Sequence, residues 1–171
     1  ASGTRIARQK VVTEDLFDRD FNMRVEEMDA SADVVVVFGG TNDFGHGDAP
    51  IGKFTDNTVY TFYGALHVLY RQLLERFPEK DIIVLTPLHR LSENVTINER
   101  GIPCEPLKKY VEAIREVAEY YSLPVLDLWK MSGMQPSVDV IREKYMPDGL
   151  HPSDLGAAKI ADKLRDFLIS L

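Results

Sequence analysis

The chain has 171 residues, 44% of them hydrophobic and 27% charged, a size and balance that suit one compact core and a single domain over residues 1–171. The 20 Lys and Arg against 27 Asp and Glu give a net charge of −7 without a basic cluster, which argues against nucleic acid as a partner. One cysteine, Cys104, excludes an intrachain disulfide, no Cys/His spacing suits a metal, no stretch approaches the roughly 20 apolar residues of a membrane span, and no signal-type leader opens the chain.

A soluble, cytoplasmic protein is therefore expected, with no cofactor and no membrane partner; any signal peptide would lie upstream of residue 1. In chain order, the first thirty residues offer no strong strand: Val11-Val12 is short, and Glu14 to Met28 is mostly charged with a weak helical pattern. Asp33 to Phe38 is an apolar run without alternation that ends in Gly39-Gly40, the pattern of a central parallel strand buried on both faces. Val59, Phe62, Tyr63, Leu66, Tyr70, Leu73, Leu74 and Phe77 then recur at steps of three and four, predicting a helix that stops before Pro78. Asp81 to Thr86 predicts a second strand.

Leu107, Val111, Ile114, Ala118 and Tyr121 predict another helix, with Lys108–Glu112 and Arg115–Glu119 spaced as i,i+4 ion pairs. Pro124 to Leu128 predicts a third strand, followed by a loop over Gly133 to Pro136 and a short helix over Val138 to Lys144. A last amphipathic helix starts near Ser153 and turns Leu155, Ala158, Ala161, Leu164 and Leu168 inward. The β-α-β-α-β order implies an open parallel sheet covered by helices on both faces. A strand as apolar as Val34 to Val37 calls for a partner on each side, yet only two further strands are legible, so the sheet reads as incomplete on its N-terminal side.

Ligands of open α/β sheets sit beyond the carboxyl ends of the strands, which directs attention to the residues just after Phe38. There Gly39-Gly40-Thr41-Asn42-Asp43 combines a tight turn with an amide side chain. Before the last helix, Pro147-Asp148-Gly149-Leu150-His151-Pro152 sets a carboxylate three residues ahead of an imidazole. Asp148 can accept the Nδ1 proton of His151 and leave Nε2 as a general base.

With these two stretches the sequence resembles the SGNH (GDSL-type) hydrolases, lipases and acylhydrolases on a flavodoxin-like three-layer α/β/α fold with a parallel sheet. The glycine-rich stretch is similar to that family's third block, which implies that Asn42 donates to the oxyanion. The Asp-x-x-His stretch is similar to its last block, which implies Asp148 as orienting carboxylate and His151 as base. Ala1-Ser2-Gly3-Thr4 resembles the second block, which implies a backbone oxyanion donor at Gly3. The family's first block, a Gly-Asp-Ser turn carrying the nucleophilic serine, is absent from these residues, and Ser2 occupies a second-block position that does not replace it. The resemblance thus implies an esterase domain lacking its first two strands and its serine, with little activity in the chain as given.

Phe44 and His89, which come after Asn42 and the second strand, are candidates to line the pocket for a small ester. His46 and His67 carry no partner signal, Leu88 to Pro106 is long enough to lie over the site, and Cys104 reads as a quiet thiol. The alternatives are a non-catalytic flavodoxin-like module that cradles phosphate or a flavin on Gly39-Gly40, and a homo-oligomer formed through an exposed sheet edge. The first is disfavoured because no Gly-x-Gly-x-x-Gly and no phosphate-holding lysine accompany those glycines, and Asp43 would repel an anion.

Overall fold

The computed structural model describes residues 3–11 and 19–171; Ala1, Ser2 and the segment 12–18, including Val12 and the start of the weakly helical stretch, lie outside the described residues. Helix α1 (Phe21–Arg24) runs into a 3-10 turn (Val25–Glu27). Strand β1 (Val34–Phe38) is followed by α2 (Thr41–His46) and α3 (Phe62–Arg76), and β2 (Asp81–Leu85) by α4 (Leu107–Tyr120). Strand β3 (Val125–Leu126), α5 (Leu128–Met131), α6 (Asp139–Tyr145) and α7 (Asp154–Ile169) complete the order. Among the described residues, three strands form one parallel sheet in the order β1-β2-β3, with Val35 beside Ile82 and Val84 beside Val125.

The boundaries reflect local chemistry. The Thr61 hydroxyl caps α3 by accepting from the Gly64 N–H at 3.2 Å, and Ser153 caps α7 by accepting from Gly156 at the same distance. Helix α3 stops at Arg76, ahead of Pro78, whose ring disfavours helical geometry in the residue before it.

Period-two alternation along β2 sends its side chains to two separate cores, to the first of which β1 adds Val35 and Val37. Val35, Val37, Ile82 and Val84 pack with Leu66, Leu69 and Leu73 of α3 and Ala113, Ile114, Val117 and Ala118 of α4 on one face. Ile83, Leu85 and Leu126 meet Met134, Met146 and the Ile160, Leu164, Phe167 and Leu168 stripe of α7 on the other. This is the three-layer α/β/α arrangement expected from the alternating order. No helix among the described residues is long and apolar enough to cross a membrane.

Four local expectations are corrected. Strand β1 is not buried on both faces: Val34, Val36 and Phe38 are 39%, 42% and 43% exposed, because no described element covers that face and no described strand pairs with its outer edge. Strand β3 is shorter than expected, since Asp127 caps α5 by accepting from Lys130 and thereby turns Leu128 into a helix. Arg115 reaches Asp127 at 2.9 Å rather than Glu119, tying α4 to the end of β3, whereas Lys108 does approach Glu112 at 3.7 Å. In α7, Leu155, Ala158 and Ala161 face solvent. Gly156, lacking a Cβ, lets the helix close on the Tyr145 carbonyl, which rotates the buried stripe onto Ile160, Leu164 and Phe167.

Candidate active site

Helix α2 leaves β1 through Gly40, whose φ of +104° is a left-handed conformation that a side chain would oppose. The sharp turn sets three side chains of α2 against the segment 3–7. The Asn42 amide Nδ2 donates to the Thr4 carbonyl at 2.9 Å. The Asp43 carboxylate accepts from the Ile6 N–H at 3.0 and 3.1 Å and from the Ala7 N–H at 2.9 Å. The Arg5 guanidinium donates to His46 Nδ1 at 2.7 Å and to the Gly3 carbonyl at 3.3 Å. Burial pushes the Asp43 carboxyl up to about 7, against the pull of those backbone donors and of Arg5. Burial and the Arg5 charge hold the His46 imidazole below its ordinary value.

Across the rim, the loop between α6 and α7 folds on itself. Asp148 Oδ1 accepts from the Leu150 and His151 N–H groups at 2.8 and 2.7 Å, while Oδ2 meets His151 Nδ1 at 2.7 Å. The bond from the imidazole, then those from the two backbone N–H groups, hold the Asp148 carboxyl down at about 2. An ionised partner on Nδ1 fixes that nitrogen as the protonated one and leaves the Nε2 lone pair available. Gly149 sits at φ +77°, its carbonyl accepts from the Leu91 N–H at 2.8 Å, and a Cβ there would stand 2.6 Å from Leu91 Cγ. The loop of Asp148 and His151 is thus seated directly on the chain that leaves β2.

A cavity of about 740 Å³ runs from the open side of β1 to this rim, and Gly3, Asn42, His89 and His151 all line it. The structure therefore brings together the imidazole, the amide and the glycine singled out in the sequence. Phe44 is a correction: it does not line this cavity but is 1% exposed in the core, edge-on to Tyr110 with ring centroids 6.0 Å apart, because the turn of α2 that aims Asn42 outward aims Phe44 inward. His46 lines the cavity and has a partner after all. His67 is buried among Phe54, Tyr120 and Tyr121, with the Tyr121 hydroxyl 3.4 Å from its Nδ1.

Of the long connection after β2, Leu88, His89, Arg90 and Glu99 reach the cavity, and Ile97 bridges to Pro103. Burial and neighbouring Glu105 push the Cys104 thiol up, away from the thiolate a nucleophile needs. No cluster of His, Cys, Asp and Glu among the described residues has the proximity to hold a metal. The residues to which sequence reasoning gave no part in the site are Asp43, weighed there only as a charge that repels anions, and Arg5. An acid directly after the amide, on a turn too tight for solvent to reach, was the available signal for Asp43; Arg5 had none.

The family model for GDSL-like lipases and acylhydrolases matches residues 1–159. One crystal structure is 34% identical over 99% of this chain and 76% of its own, with a TM-score of 0.84. A protein from Lactobacillus plantarum is 30% identical over 99% and 78% of the two chains, with a TM-score of 0.82. A possible lipase from Chitinophaga pinensis is similar in fold, with a TM-score of 0.63 at 23% identity over 88% and 79%. None of the curated proteins searched matches the chain.

Proposed function

Because this chain belongs to the GDSL-like lipase/acylhydrolase family, we propose that Asp148, His151, Asn42 and Gly3 are the acyl-transfer machinery of an esterase acting on small esters. The observation that carries this reading is the 2.7 Å Asp148–His151 pair facing the same cavity as Asn42 and Gly3. A serine Oγ attacks the ester carbonyl carbon while its proton passes to His151 Nε2. The carbonyl oxygen becomes the oxyanion, held by the Gly3 N–H and by the Asn42 N–H that the Thr4 carbonyl leaves over. Collapse breaks the bond to the alcohol, which takes the proton from His151. Water then repeats the sequence on the acyl-serine and releases the acid.

The 171 residues contain no Gly-Asp-Ser turn. In this reading the serine comes on a strand that pairs with the outer edge of β1, next to which Asn42 and Gly3 already stand. Val34, Val36 and Phe38 supply the apolar face such a strand–helix unit would cover. The geometry does not favour a phosphate cradle on Gly39-Gly40, since Asp43 fills the first turn of α2 with negative charge potential and already holds the nearby Ile6 and Ala7 N–H groups.

The test is p-nitrophenyl acetate hydrolysis by the chain as given and by the same chain joined to a strand–helix unit bearing a Gly-Asp-Ser turn. Negligible turnover is expected from the first. The second should turn over and lose at least about 10³-fold in kcat on His151→Ala. Robust turnover by the 171 residues alone, or a folded joined chain without His151-dependent turnover, contradicts the reading.

A further inference from the structure

Beside the Asp148–His151 pair the cavity holds a second imidazole aligned by a carboxylate. His89 Nδ1 lies 2.9 and 3.1 Å from the two oxygens of Glu93. Its ring lies against Trp129, with centroids 3.8 Å apart and planes 34° from parallel. Trp129 is itself fixed, since its backbone N–H donates to the Thr86 hydroxyl at 2.9 Å and that hydroxyl donates to Asp127 at 3.0 Å, the carboxylate paired with Arg115. Two partners, Glu93 from its own connection and Trp129 from α5, therefore define one orientation for His89. Its side chain is 20% exposed, and the residue lines the same cavity as His151.

An imidazole whose Nδ1 faces a carboxylate carries its proton there, so its Nε2 is an acceptor for an O–H donor. The backbone fixes its place relative to the reaction. The chain after His89 is bonded to the loop of His151 through Leu91 N–H and the Gly149 carbonyl, at 2.8 Å. In the acyl-transfer reading, on which this inference rests, Asn42 and Gly3 hold the oxyanion and His151 protonates the departing alcohol; the segment of His89 packs on Gly40 through Pro87 and is bonded to the loop of His151, so His89 stands on the cavity wall that the alcohol passes. We propose that His89, oriented by Glu93 and Trp129, is the specificity residue for the alcohol portion of the substrate, and that this alcohol is a polyol or sugar whose neighbouring hydroxyl donates to His89 Nε2. Esters of simple alkanols have nothing to offer that acceptor, and leaving it dry and unpaired counts against them.

The chain as given offers a clean measurement, because an ester binds without being cleaved. Ring resonances of the four histidines are followed by nitrogen–proton correlation spectra during titration with glycerol 1-acetate and, separately, with n-propyl acetate, which has the same carbon skeleton without the two free hydroxyls. Glycerol acetate should move His151 and His89 together and bind about five-fold more tightly, a ratio equivalent to about 1 kcal/mol. His89→Phe retains a ring against Trp129 and should reduce the ratio to below about two-fold, with the circular dichroism spectrum unchanged. Shifts at His151 with none at His89, or a five-fold preference surviving in His89→Phe, overturn the subsite alone. Neither ester moving His151 overturns the acyl-transfer reading itself.

Discussion

Gly149→Ala isolates how the loop of Asp148 and His151 is held. At φ +77° a Cβ costs about 1–2 kcal/mol from local clash, partly offset by about 0.4–1 kcal/mol of lost unfolded-state freedom. Gly101 provides the control: its φ is +73°, yet a Cβ there would meet nothing within 4 Å. Gly101→Ala therefore reports the backbone cost alone, about 0.5–1.5 kcal/mol. At Gly149 the new methyl also falls on Leu91, with Cγ at 2.6 Å and Cβ at 3.2 Å. Leu91 is 39% exposed and can yield, but only by leaving a favoured rotamer or by stretching its N–H bond to the Gly149 carbonyl, for about 1 kcal/mol more. Urea unfolding of both variants should place Gly149→Ala at least about 1 kcal/mol below Gly101→Ala, with equal m-values. Equal losses would mean that the Leu91 contact does not constrain the loop and that the chain after β2 does not seat His151.

The same geometry makes three further outcomes testable. In a chain joined to a serine-bearing unit, Asn42→Ala should lower kcat on p-nitrophenyl acetate by about 10²–10³-fold, the loss typical of one oxyanion donor; an unchanged kcat would remove Asn42 from that role. The two aspartates should give stability slopes of opposite sign in pH-dependent urea unfolding. Asp148, held at about 2 in the fold against 3.8 otherwise, contributes stability present above pH 4 and lost as pH falls toward 2, and because it is mostly exposed the effect stays under about 1 kcal/mol. Asp43, raised to about 7, lets the folded state keep its proton after the unfolded chain has lost it, so stability declines as pH rises from about 4 to 7, and Asp43→Asn should flatten that limb; an unaltered slope would contradict its burial. The 171-residue chain should sediment as a self-associated species through the β1 edge, reverting to monomer in Val36→Lys, and a clean wild-type monomer at micromolar concentration would count against that edge as a pairing surface.

Short-range chemistry decided the parts of the fold that were legible in the sequence. Apolar steps of three and four placed α3 and α4, and an aspartate three residues before a histidine announced a loop that closes on its own imidazole. The tertiary surroundings decided the rest. An unbroken Val-Val-Val-Val-Phe run reads as doubly buried, yet each of its faces is covered only if a neighbouring element is there to cover it, and beside Val34, Val36 and Phe38 none of the described elements is. The buried stripe of α7 was set by Gly156 closing on a carbonyl from another helix, which no periodicity within α7 encodes. At the site, Asn42 and His151 were readable because their chemistry is local to a turn. The Asp43 grip on Ile6 and Ala7 joins residues 36 and 37 positions apart, and the Phe44 orientation depends on a ring in α4; neither leaves a mark within its own stretch.

The central claim is that one cavity rim presents an oxyanion site and an aligned imidazole to the same reacting carbon. The measurement that addresses it most directly is the crystal structure of the serine-joined chain after reaction with an alkyl phosphonate. The account predicts the phosphonyl oxygen about 2.7–3.1 Å from both Asn42 Nδ2 and the Gly3 nitrogen, with His151 Nε2 on the opposite side of phosphorus, next to the serine oxygen. A phosphonyl oxygen turned away from Asn42 and Gly3, or a His151 ring out of reach of the serine, would contradict it.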